Sequence, residues 1–144
     1  MPLMLIIIML RIVKSIKTKH DRNSLIIILS DPSFILPRIF PPIKSVENNN
    51  SSFIAKGKFL FTDFCLRGNV YSSIDNIRYI FTLKSGNKTG NGKLEFQFTE
   101  NINISFEYDG WRDLMARNFM SKWVNDFLDK LDEDIRMERI RRKI

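Results

Sequence analysis

One cysteine and one histidine are found in the 144 residues of this chain. Cys65 has no partner for an internal disulfide, and His20 alone cannot build a multi-histidine metal site. A Cys–His pair would need folding alone to bring Cys65 and His20 together. These shortages exclude most zinc sites and weaken nucleophilic catalysis by a thiol or an imidazole. No cofactor is expected. A run of apolar residues long enough to cross a bilayer is also missing. Residues 1–10 (MPLMLIIIML) are almost purely apolar but cover about half the necessary length. They lack the basic leader and small-residue cleavage site of a signal peptide. They read either as an extension of the first strand or, if the chain truly starts at Met9, as eight residues outside the fold. The expectation is a soluble, cytoplasmic protein.

Clear acid–base machinery is absent too. Asp21 and Asp31 sit where helix caps are needed, and Asp63 falls in a strand or a loop. Asp126, Asp129, Asp132, Glu133 and Asp134 lie mostly on the solvated side of a helix. The stretch SGNKTG at residues 85–90 contains glycine and lysine without the GxxxxGK[ST] phosphate-loop spacing.

What is present is apolar and aromatic. The composition is 44% hydrophobic with twelve phenylalanines, and the length suits one domain over residues 1–144. The net charge of +7 looks local, because Arg136, Arg139, Arg141, Arg142 and Lys143 crowd the last nine residues. That basic tail over residues 136–144 complements a helix dipole. It would equally suit a nucleic acid or an anionic membrane, although no recognised nucleic-acid motif accompanies it.

Residues 10–18 alternate imperfectly, with Leu10, Ile12 and Ile16 on one face, and predict a strand. Asp21 is placed to cap a helix over residues 22–29. Ser30-Asp31-Pro32 ends that helix and starts a second, proline being favoured at the first helical position. The second helix should stop before Pro37 or be distorted there, and Pro41-Pro42 ends it. A strand follows over residues 43–47, then a turn over 48–52. Residues 53–62 predict a strand with Phe53, Ala55, Gly57, Phe59 and Phe61 on its buried face. A weaker strand covers residues 66–74. Three more place Ile77, Tyr79, Phe81 and Leu83, then Leu94, Phe96 and Phe98, then Ile102, Ile104, Phe106 and Tyr108 inward. Residues 85–91 read as a loop. The order implies an up-and-down meander.

From Trp111 to about Ile140 there is neither glycine nor proline, and a helix of that length spans about 45 Å. Ala116, Met120, Trp123, Val124, Phe127, Leu128 and Leu131 share one face, with Asn118, Lys122, Asn125, Asp126 and Asp129 opposite. Trp111, Leu114 and Met115 fall off this stripe. A sheet and a helix that are each apolar on one side must cover each other. The fold class is therefore α+β: a curved antiparallel sheet of six to seven strands, two short helices after strand 1, and one long C-terminal helix within the sheet.

The junction LSDPSFILPRIFPPIKSVE, residues 29–47, together with Gly110 and the closing helix, resembles the helix-grip superfamily, also called START or SRPBCC. Within it the chain looks similar to the carbon monoxide dehydrogenase branch and to archaeal members. The resemblance covers about residues 9–135. It implies a hydrophobic ligand held between sheet and helix; some cyclases of this group add polar catalytic residues in the cavity. No such catalytic set can be matched to this sequence.

The candidate ligand-binding residues are Phe59, Phe61, Tyr79, Phe81, Phe96, Phe98 and Phe106 on the sheet, facing Met120, Trp123 and Phe127 on the helix. They form either an ordinary core or the lining of an apolar cavity. The Tyr79 hydroxyl either orients a ligand or bonds a neighbouring backbone group. The leading expectation is a protein that binds or carries a small hydrophobic or amphipathic molecule, such as a lipid. The alternatives are a cyclase- or dehydratase-like enzyme, which would need Asp63 or Arg78 beside Tyr79, and a polyanion-binding adaptor acting through residues 136–143.

Overall fold

The structure, a computed structural model, describes residues 9–110 and 114–144, with the side chains of the second stretch described from residue 116 onward. The expectations for residues 1–8, and those for Trp111, Leu114 and Met115, lie outside this set.

Strand β1 (Met9–Ile16) leads into α1 (Arg22–Leu29) and α2 (Pro32–Ile39). Both helices begin where the sequence places a cap. The Asp21 carboxylate accepts the Ser24 N–H at 3.0 Å, and the Asp31 carboxylate accepts the Ser33 N–H at 3.0 Å. Each thereby satisfies a donor that the first helical turn leaves without a partner. Helix α2 continues through Pro37 and does not stop before it. In a two-turn helix, proline at this point removes only the bond to the Ser33 carbonyl. The buried Phe34, Ile35, Leu36 and Ile39 hold the segment in place.

Six further strands follow: β2 (Ile43–Asn49), β3 (Ser52–Phe59), β4 (Thr62–Ser72), β5 (Asn76–Ser85), β6 (Lys88–Phe98) and β7 (Ile102–Asp109). The sheet order is β1-β7-β6-β5-β4-β3-β2, with every neighbouring pair antiparallel. Six of the seven strands are thus a meander, and α1 and α2 carry the chain from one sheet edge to the other. The alternation of apolar residues fixes the register, since a slip by one residue would turn every aromatic side chain outward. Ile77, Tyr79, Phe81, Leu83, Leu94, Phe96, Phe98, Ile102, Ile104, Phe106 and Tyr108 are all buried.

Two turns are tighter than the sequence suggests. The expected loop over residues 85–91 contracts to Gly86-Asn87, because Lys88 pairs with Ser85. Gly86 adopts φ +62°, as a two-residue hairpin requires. Strand β3 ends at Phe59, where Phe59 pairs with Thr62. Leu60 and Phe61 form the turn, at φ +50° and +68°.

Helix α3 (Leu114–Arg142) buries Met120, Val124, Phe127, Leu128, Leu131 and Ile135. These residues, the inner sheet face and the buried sides of α1 and α2 form one apolar cluster. Among the described residues no helix is long and apolar enough to cross a membrane.

Candidate functional site

The sheet and α3 do not meet evenly along their length. In the middle the space is filled. Tyr79, Phe96 and Phe106 are fully buried together with Ile28, Leu29, Ile35 and Leu36 from the two short helices. Phe40 meets Phe81 edge-on at 5.8 Å between ring centroids and Phe106 at 6.2 Å. The Tyr79 hydroxyl donates to the Leu29 carbonyl at 2.6 Å. That carbonyl lies in the last turn of α1, where helical partners run out. Burial pushes the Tyr79 pKa upward, and Asp31 adds to the shift, so this hydroxyl remains a donor.

At one end the two layers diverge and leave an apolar notch of about 60 Å³. It is lined by Phe40, Phe59, Phe64, Leu66, Leu83, Ser85, Ala116, Met120 and Trp123. An aromatic cluster forms one wall, with Phe59 edge-on to both Phe119 and Trp123 at 5.0 Å. Ser85 is the only lining residue here with a polar side chain apart from the Trp123 indole N–H.

Of the ten candidate residues, this end gathers Phe59, Met120 and Trp123. Tyr79, Phe81, Phe96, Phe106 and Phe127 are buried core. Phe98 lies at another end, where the Arg22 guanidinium stands 5.8 Å from its ring centroid. Phe61 departs from the expected inward parity and is 98% exposed. The strand ends two residues before it, so the alternation no longer applies. Phe40, Phe64, Leu66, Leu83 and Ser85 were not singled out as site residues. Phe64, Leu66, Leu83 and Ser85 do follow strand parity, and Phe40 is brought in by the turn after α2.

The polar candidates are dispersed. Asp63 is 85% exposed in the β3–β4 hairpin, 3.8 Å from Lys58. Arg78 points outward and pairs with Glu95 at 3.5 Å. The single cysteine and single histidine are also apart. Cys65 faces outward on β4 between Lys56 and Lys84 in the strand register. His20 contacts the Arg139 guanidinium at 3.1 Å. Among the described residues no group of His, Cys, Asp and Glu is placed to hold a metal ion.

The basic tail is the last turn of α3, and much of its charge is spent within the protein. Arg142 binds Asp31 and Glu138, each at 2.6 Å. Arg139 binds Asp21 at 3.1 Å, Arg136 binds Glu133, and Arg141 binds Glu138. The Arg141 hydrogen bond, aided by Arg142, holds the Glu138 pKa down to about 2, although burial opposes it. The same aspartates that cap α1 and α2 therefore anchor the end of α3.

A curved sheet gripping a long C-terminal helix, with an apolar notch where the two separate, defines a helix-grip protein. A family model described as "-like" matches residues 9–144, and the chain belongs to that family. It is similar to a hypothetical protein from Sulfolobus tokodaii, with 34% identity over 92% of this chain and 99% of that one, at a TM-score of 0.71. A conserved protein from Geobacillus kaustophilus is 14% identical, covering 90% and 96% of the two chains at 0.67. An aromatase/cyclase from Streptomyces sp. R1128 is 13% identical, covering 94% and 96% at 0.57. These last two share the fold. No curated protein matches the chain.

Proposed function

We propose that the protein binds or carries a small hydrophobic or amphipathic molecule, inserted into the notch between the open end of the sheet and the start of α3. The apolar lining of that notch carries the reading. Removing apolar surface from water favours binding by about 25 cal/mol per Å², so a carbon-lined recess needs few hydrogen bonds to retain a ligand. With about 60 Å³ the notch suits the end of an acyl chain or the edge of a ring. The polar part of the molecule then lies outward, near the Ser85 hydroxyl. Phe59, Met120 and Trp123 are the contacts anticipated from the sequence. A place in the carbon monoxide dehydrogenase branch rests on the junction at residues 29–47 alone and belongs to this proposal.

The relative from Streptomyces is an aromatase/cyclase, which keeps the cyclase-like alternative in view. That reading required Asp63 or Arg78 beside Tyr79, whereas Asp63 is on a hairpin, Arg78 is on the outer face and Tyr79 is bonded to Leu29. The geometry favours binding.

Titration with a fluorescent fatty acid tests the proposal. Saturable binding is expected, with a loss of about tenfold or more in Ala116→Leu, whose larger side chain fills the recess. Equal affinity of the two proteins, or no binding to either, would refute it.

A further inference from the structure

The β3–β4 hairpin carries its most apolar residues where the fold has no use for them. Phe61 is 98% exposed and Leu60 56% exposed. Both occupy the left-handed region, at φ +68° and +50°. A two-residue hairpin turn of this kind ordinarily takes Asn-Gly, because side chains with bulk beyond Cβ are disfavoured at positive φ. Leucine and phenylalanine therefore cost conformational energy and bury little surface in return. Neither core packing nor turn chemistry explains them.

Three features meet at this end of the molecule. The hairpin tip directly follows Phe59, which lines the apolar notch. On the outer face beside it runs an open groove of about 430 Å³, lined by Lys44, Lys56, Lys58 and Lys84, with Gly86 of the next hairpin and Asp63 at its edge. Lys56, Cys65 and Lys84 stand side by side in the register of three adjacent strands. Asp63 offsets Lys58 at 3.8 Å. Among the described residues Lys44, Lys56 and Lys84 form no ion pair. This is the reverse of the tail, whose arginines are paired within the protein.

We propose that the Leu60-Phe61 tip and the lysine groove behind it form a docking surface for an anionic lipid bilayer. The apolar tip enters the interfacial region, where aromatic side chains partition favourably. The lysines remain at headgroup level, where each basic residue near an anionic surface adds attraction. A nucleic acid would use the lysines and leave the tip in water, and an apolar protein partner would use the tip and leave the lysines unpaired. A membrane interface engages both. Docking in this orientation brings the notch to the lipid surface, yet it stands independently of whether the notch holds a ligand.

Flotation of the full chain with vesicles, either of phosphatidylcholine alone or of phosphatidylcholine and phosphatidylglycerol in equal parts, tests the proposal. Binding is expected to the anionic vesicles and to weaken with salt. Leu60→Asn with Phe61→Gly should reduce it by about tenfold or more while raising the melting temperature, since Asn-Gly suits the turn. Lys56→Gln with Lys84→Gln should reduce it about tenfold on anionic vesicles and leave fatty-acid affinity unchanged. No flotation of the unaltered protein would overturn the proposal. So would undiminished flotation of the Asn-Gly variant, or binding to nucleic acid that depends on the lysines but not on the tip.

Discussion

Tyr79 brings a hydroxyl into the centre of an otherwise apolar interior, and its partner decides what it does there. The Leu29 carbonyl accepts from it at 2.6 Å, so the hydroxyl completes the end of α1. Tyr79→Phe removes the donor and leaves that carbonyl buried without it. The expected cost is about 1–2 kcal/mol, read as a lower urea midpoint with unchanged slope. A hydroxyl serving only a ligand would give no such loss in the free protein. Gly92 shows the complementary requirement for room. A Cβ there would stand 2.1 Å from the Phe81 ring, so a side chain missing from β6 makes space for one on β5.

At the scale of elements, the last turn of α3 is an anchoring device. Glu138 is 6% exposed and is bonded to Arg141 and Arg142, while Arg142 continues to the cap of α2. The folded pKa of about 2 lies below the ordinary 4.5. Over that interval the unfolded chain takes up a proton that the folded chain does not, so stability falls as pH falls. The contribution is fully present above about pH 4.5 and is lost toward pH 2. Allowing for the solvent exposure of Arg141, Glu138→Gln should destabilise the protein by about 1–2 kcal/mol at pH 7. The difference from the unaltered protein should vanish near pH 2, as acid and urea unfolding curves would show.

For the whole molecule, the anchoring redistributes charge. Along the chain the positive excess lies in residues 136–143; in the folded protein those arginines meet Asp21, Asp31, Glu133 and Glu138, and unpaired lysines gather beside the notch. Removal of residues 139–144 separates the two readings of the tail. As an anchor, its loss should lower stability by about 2 kcal/mol, roughly 4–8 °C in melting temperature, and leave vesicle binding through the hairpin intact. As a polyanion site, its loss would abolish salt-sensitive binding without changing stability.

Much of the architecture was legible because it rests on local chemistry. Alternation named the inward residues of β5, β6 and β7, the caps Asp21 and Asp31 located α1 and α2, and a stripe of seven apolar residues oriented α3. The candidate site was only partly legible. Phe59, Met120 and Trp123 reach the notch, but Phe96 and Phe106 have the same parity and lie in solid core. Parity tells which side of a sheet a residue faces and nothing about the thickness of what covers it. Sequence by itself determined the elements, their order and their apolar faces, since each depends on neighbours within a few residues. Only tertiary structure decided that α1 and α2 fill the middle, that the gap survives at one end, that Phe61 turns outward, and which cations remain unpaired. Those outcomes depend on residues far apart in the chain meeting, or failing to meet, in space.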